Sequence, residues 1–132
     1  MQIDIYTDCS IREFNLGIGI IILLDGKLTS KLTYSLRNIK FNSYEGEILA
    51  ILYSLNLINF KIDSLIIHTE CQPFLYYTIR TVKHIPFEDM FKKYLNNCKN
   101  YCKDINFIYV KAHSHDHYNT MADQMADKGS II

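Results

Sequence analysis

Four carboxylates in this chain occupy positions where a stray surface charge is unusual: Asp8 in "YTDCS", Glu47 in "YEGEILA", Glu70 in "HTECQ" and Asp123 in "NTMADQMA". Unpaired carboxylates gathered in one place repel and raise one another's pKa, so such a set makes sense only around cations. Ligands that are all oxygen favour magnesium or manganese. Two such ions about 4 Å apart clamp the attacking and leaving oxygens of an in-line phosphoryl displacement. The chemistry to expect is therefore a metal-assisted, in-line phosphoryl displacement. Two neighbouring acids are read differently: Glu45 as a charge near a helix N-terminus, and Asp127 as a solvated helix residue.

Three alternating histidines, His113, His115 and His117, precede Asp123 in "VKAHSHDHYNTMADQMADKG". A zinc tract would need further fixed ligands, and only Asp116 offers one, so a polar loop is the plainer reading. The four cysteines, Cys9, Cys71, Cys98 and Cys102, form no CxxC pair. In a reducing compartment they are expected as free thiols. Cys9 and Cys71 each follow one of the four acids, which leaves a disulfide switch as the alternative to simple packing.

The elements that must carry these groups follow from hydrophobic periodicity. Residues 2–7 and 27–36 alternate as strands, 17–24 is an apolar strand, and Asp25–Gly26 signals a hairpin. Period then changes: residues 44–58 place Glu47, Ala50, Ile51, Ser54 and Leu55 on one helical face, with Ser43 as the expected N-cap. Residues 64–69 form a short buried strand, 72–82 a helix with Pro73 in its first turn, and 86–102 an amphipathic helix. Residues 106–113 make a fifth strand, and 120–129 a last helix closed by Gly129.

The order is βββαβααβα, an α/β chain with a mixed five-stranded sheet flanked by helices. A helical crossover sets the first and fourth strands side by side, so Asp8 and Glu70 become neighbours at the carboxyl ends of parallel strands, where ligand sites of α/β sheets lie. The 132 residues suit one domain, spanning 1–132. An apolar fraction of 48% is that of a globular protein, and no run approaches the roughly 20 apolar residues of a membrane span. The opening "MQIDIYTD" carries acids where a signal peptide has basic and then apolar residues, so a cytoplasmic protein is expected. A formal net charge of zero argues against tight, sequence-independent binding of nucleic acid, but not against an enzyme whose metal ions supply the positive charge.

With these residues in place, "YTDCS", "NSYEGEILAILYSL", "HTECQ" and "VKAHSHDHYNTMADQMA" together resemble the four motifs of ribonuclease H, type 1, in order and over nearly the whole chain. The resemblance implies the ribonuclease H-like fold and cleavage of the RNA strand of RNA–DNA hybrids, with two Mg2+ or Mn2+ ions, leaving a 5′-phosphate. It implies Asp8, Glu47, Glu70 and Asp123 as catalytic metal ligands, and His113 as a loop histidine aiding proton movement or product release. Ser10 of the first motif, Asn42 and Ser43 before the helix glutamate, and Gln72 after the third acid are then substrate contacts. The expected partner is an RNA–DNA hybrid, met by a monomer away from any membrane.

The chain departs from the family pattern at Glu70, where an aspartate is usual. One extra methylene moves the carboxylate by about 1–1.5 Å, and a misplacement near 1 Å can cost on the order of 100-fold in rate. From sequence alone, Glu70→Asp is expected to preserve or raise the magnesium-dependent rate, and manganese to serve the natural site better. "IREFNLGIG" replaces a glycine-rich stretch that approaches the RNA 2′-hydroxyls in the family. Lys83, Lys92, Lys93, Lys99 and Lys103 give only a modest basic side, so hybrid affinity should be weak and salt-dependent. Two other readings remain: an inactive hybrid-binding module, or a DNA resolvase or integrase-like nuclease on the same fold.

Overall fold

The computed structural model describes residues 1–111 and 116–131. The elements run β1 (Gln2–Arg12), β2 (Asn15–Leu24), β3 (Lys27–Leu36), α1 (Ser43–Asn56), β4 (Ser64–Thr69), α2 (Gln72–Thr78), α3 (Glu88–Lys99), β5 (Asp104–Tyr109) and α4 (His117–Ile131). The sheet order is β3-β2-β1-β4-β5. β1, β2 and β3 form an antiparallel meander, while β4 pairs in parallel with both β1 and β5. The element order and the α/β architecture are those expected from periodicity.

Two apolar layers hold the sheet. On one face Ile3, Ile5, Leu16, Ile18, Ile20, Leu65 and Ile67 pack against Ile48, Ile51, Leu52 and Leu55 of α1. Each such fully buried aliphatic side chain is worth about 1.5–3 kcal/mol relative to exposure. On the other face Tyr6, Ile21 and Leu23 meet Ala122, Met121 and Met125 of α4. That second contact is unusually close, because a Cβ on Gly17 would lie 1.9 Å from the Ala126 carbonyl oxygen and one on Gly19 2.0 Å from that of Ala122. The two glycines let α4 lie directly on β2.

Several boundaries differ from the periodic reading, each for a local reason. The N-cap of α1 is Asn42, not Ser43: its Oδ1 accepts from the Glu45 amide at 2.8 Å, and Glu45 Oε1 accepts from the Asn42 amide at 3.0 Å. Glu45 thus closes a reciprocal capping box. Helix α2 stops at Thr78 because Arg80 adopts a left-handed backbone (φ 67°), and α3 starts late because Phe87 does the same (φ 58°). β5 begins at Asp104 and ends at Tyr109, so Val110 and Lys111 fall outside the strand expected over 106–113, and residues 112 and 113 lie outside the described residues. α4 begins three residues early because Asp116 Oδ1 accepts from the amides of Tyr118 and Asn119 at 3.0 and 2.9 Å. Gly129 does not close α4. It lies inside the helix, where a Cβ would meet the Tyr34 carbonyl oxygen at 2.4 Å and Gly17 Cα at 2.9 Å.

Candidate active site

Asp8 lies within β1, not after it. Pairing between β1 and β4 ends at Tyr6 and His68, whereas β1 runs on against β2, with Asp8 opposite Gly19. The strands part just below Asp8, and β4 ends one residue before Glu70. The turn that carries Glu70 is held by Thr69, which is fully buried and whose Oγ1 accepts from the Cys71 amide at 3.1 Å. Helix α1 brings the third acid. Gly46 lets it approach β1, since a Cβ there would stand 2.8 Å from Cys9 Sγ and 3.0 Å from Leu16 Cδ1. The next residue, Glu47, thereby reaches the same point.

Oxygen atoms of Asp8, Glu47 and Glu70 all lie within 4.8 Å of one another. Asp8 is 5% exposed, and Glu47 Oε2 is buried with no hydrogen-bond partner. Burial, followed by the charges of Glu47 and Glu70, pushes the Asp8 carboxyl well above the usual range. Burial also raises Glu47, against hydrogen bonds from Cys9 and Asp8. The pair is best described as sharing a proton until something more positive replaces it. A buried, orphaned carboxylate oxygen beside two further acids is the donor set of a hard divalent cation, and these three residues fit one.

Two supporting residues have roles that the sequence reading did not give them. Asn119, 4% exposed, donates from Nδ2 to Glu70 Oε1 at 2.9 Å, and the Asp116 cap orients the first turn that carries it. Cys9 Sγ lies 3.2 Å from Glu47 Oε1 and 3.7 Å from the Ser43 carbonyl oxygen. Burial and the Glu47 charge drive its thiol pKa upward, so it serves as a neutral donor to that carboxylate. The asparagine of "NTMAD" was a usable signal; nothing in the sequence distinguished Cys9 from a packing thiol. All four cysteines are free.

The other expected site residues are distributed around this cluster. Asp123 is exposed on α4, one residue after Ala122, whose carbonyl abuts Gly19 opposite Asp8. Among the described residues its carboxylate is not part of the three-acid group. Ser10 Oγ donates to Ser130 Oγ at 3.3 Å. Asn42 and Ser43 are exposed at the start of α1, and Gln72 is exposed at the start of α2. His113 and His115 lie outside the described residues; His117 is the exposed first residue of α4.

The buried acids have a measurable consequence. A carboxyl whose folded pKa is raised favours the protonated form, so its contribution is fully present below the ordinary carboxylate value of 3.8 and is lost as pH rises through the folded value. Without metal, thermal stability should therefore fall as pH rises from the acid range toward neutrality and beyond. Asp8→Asn, which cannot ionise, should flatten that fall. Magnesium at about 100 times its Kd should restore about 2.7 kcal/mol to the natural protein. Melting curves across pH, in chelator and in magnesium, provide the check; identical pH profiles for the two proteins in chelator would contradict it.

The comparisons with known proteins agree with this fold. The RNase H family model matches residues 1–131. Among solved structures, RNase H1 from the halophilic archaeon Halobacterium salinarum is 15% identical, with a TM-score of 0.73 over 98% of this chain and 97% of that one. LC11-RNase H1, solved in complex with an RNA/DNA hybrid, is 20% identical with a TM-score of 0.69, covering 96% and 95%. Prototype foamy virus protease-reverse transcriptase is 18% identical with a TM-score of 0.72, over 98% of this chain but only 21% of the viral one. This chain thus spans about a fifth of the viral polypeptide and nearly all of the two RNase H1 chains. No curated protein matches it in sequence. Among the described residues no helix is long and apolar enough to cross a membrane.

Proposed function

The chain belongs to the RNase H family, and from that premise we propose that it is an endoribonuclease that hydrolyses the RNA strand of RNA–DNA hybrids with divalent metal ions. The observation that carries the proposal is the convergence of Asp8, Glu47 and Glu70 within 4.8 Å, with a buried Glu47 oxygen left unpartnered.

Asp8, Glu47 and Glu70 would hold Mg2+ or Mn2+, with Asp123 joining as a ligand from the second turn of α4. Bound as a pair, such ions lower the pKa of the attacking water and stabilise charge on the leaving oxygen. The protein's own groups do the positioning. Asn119 anchors Glu70, Cys9 anchors Glu47, and the Cys9 amide donates to Asp8 Oδ1 at 2.8 Å. The exposed starts of α1 and α2 would present Asn42, Ser43 and Gln72 to a substrate approaching the carboxyl ends of β1 and β4, and Ser10, whose hydroxyl meets Ser130 of α4, would contact it from β1. Water adds to phosphorus, the 3′-oxygen departs and takes up a proton, and the products are a 3′-hydroxyl and a 5′-phosphate. His113 would assist that proton movement or product release.

A second reading is hybrid binding without cleavage. It draws on the placement of Asp123 outside the three-acid group and on glutamate at position 70. The deciding experiment incubates the protein with end-labelled RNA–DNA hybrid, duplex DNA and a four-way DNA junction, in magnesium and in manganese. Cleavage confined to the RNA strand of the hybrid is expected. Binding without cleavage in either metal would establish the second reading, and cleavage of the junction would point to a resolvase. In the same assay His113→Ala should slow turnover about 10- to 100-fold, at and below the lower end of the usual range for a proton-transfer group. An unaltered rate would remove His113 from the reaction.

A further inference from the structure

Away from the acids, a groove of about 770 Å³ opens between α3 and β5. Its floor is apolar. Phe91 and Leu95 line it from α3; Ile105 and Phe107, alternate residues on one face of β5, line it from the sheet. Its rim carries Arg80, Lys83, Lys92, Lys99 and Lys103, all exposed, against one carboxylate, Glu88. Glu88 is already engaged by His84 at 3.0 Å and by Lys92 at 3.9 Å. In a chain with formal net charge zero, this rim concentrates positive potential over a low-dielectric floor, an arrangement that attracts anions.

The wall of the groove is also a sheet edge. Among the described residues β5 closes the sheet order and pairs only with β4, so there its outer backbone groups are open to a further strand. A nucleic-acid strand would match the charge but would leave the aliphatic floor without a complement. Nor are the rings free to stack bases. Phe91 and Phe107 meet Phe74 edge-to-face, with centroids 5.2 and 4.9 Å apart and planes at 86° and 78°. Cations on the rim, apolar side chains at two-residue spacing on the groove floor and a sheet edge unpaired among the described residues together describe recognition of an extended polypeptide.

We propose that this groove docks an acidic peptide segment in extended conformation, added beside β5, with apolar side chains at alternate positions seated on Ile105 and Phe107. The surface is distinct from the nuclease site. Lys103 precedes β5 at the amino end of the parallel strands, whereas Asp8 and Glu70 stand at their carboxyl ends. The inference therefore stands independently of the proposed reaction.

The test uses the full chain and fluorescence anisotropy with a short synthetic peptide alternating Glu with Leu and Phe. Controls are the same peptide with serine at the apolar positions, its counterpart with Lys in place of Glu, and a single-stranded oligonucleotide. Saturable binding of the first peptide is expected, at least about tenfold tighter than the serine and lysine versions. The exposed pair Lys92→Glu and Lys103→Glu should weaken it by about tenfold or more, with circular dichroism melting confirming that the variant folds. Hydrogen exchange should slow at β5 amides when the peptide is bound. Absence of binding, equal binding of the serine peptide, or indifference to charge reversal would each overturn the proposal. So would an oligonucleotide that needs the same lysines while the peptide fails to bind, which would make the groove a nucleic-acid surface.

Discussion

Asp8→Asn should reduce hybrid cleavage by at least about 10³-fold, in magnesium and in manganese alike. The loss of a single oxyanion donor costs about 10²–10³-fold, and Asp8 is more central than that, lying with Glu47 and Glu70 in the three-acid group and buried beside them. Asparagine nearly preserves the shape and can still accept from the Cys9 amide, which meets Asp8 Oδ1 at 2.8 Å. The fold should therefore survive, and the metal-free variant should be the more stable protein at neutral pH, because a buried charge in a crowd of like charges has been removed. The decisive measurement is single-turnover cleavage of labelled hybrid beside a melting curve. Residual cleavage at the natural rate would mean that the cut is made elsewhere or by a contaminant.

The second large effect is expected at Glu70, and the structure reverses the expectation drawn from sequence. Read as a motif, Glu70 is an aspartate made too long, so shortening it should help. In the folded chain its extra methylene has a use: the carboxylate joins Asp8 and Glu47 while Oε1 accepts from Asn119 at 2.9 Å. An aspartate on the same backbone is about 1–1.5 Å shorter and cannot keep both contacts. Glu70→Asp should thus lower the magnesium-dependent rate by about 100-fold, with a smaller loss in manganese. Asn119→Ala should cause part of the same defect, since a hydrogen bond to a charged acceptor is worth about 1.5–3 kcal/mol. Because the two residues act through one contact, the double variant should be no worse than Glu70→Asp alone. Additive losses would show that Asn119 acts on something other than Glu70. An unchanged or faster Glu70→Asp enzyme would restore the sequence-based view and mark the Asn119 contact as incidental.

Much of this protein is legible without coordinates, and the reason is periodicity. Two-residue alternation in β1 and β3, the apolar run of β2 and the change to helical spacing at α1 are local properties of the chain, and they carry the element order and the α/β class. The four-motif resemblance adds the family, because Asp8, Glu47, Glu70 and Asp123 fall in the expected order with the elements between them. Helix ends were less readable, since they depend on single backbone conformations: Phe87 and Arg80 in left-handed geometry, or Asp116 turning its carboxylate onto two amides. Composition says nothing about these.

What only the tertiary structure decided are the relations between residues distant in the chain. Gly17 and Gly19 read as strand residues, yet each is required by a helix more than 100 positions later, because backbone atoms of α4 occupy the space a side chain would need. Asn119 and Cys9 read as ordinary polar and packing residues until their atoms are placed against Glu70 and Glu47. The lysines of α3 read as a modest basic side, and only the gap beside β5 turns them into a charged rim over an apolar floor. Local sequence determines conformation because it sets backbone preferences and the period of burial. A site is a matter of distance, and through-space distances of a few ångströms between side chains are set by how layers pack, which no stretch of sequence contains by itself.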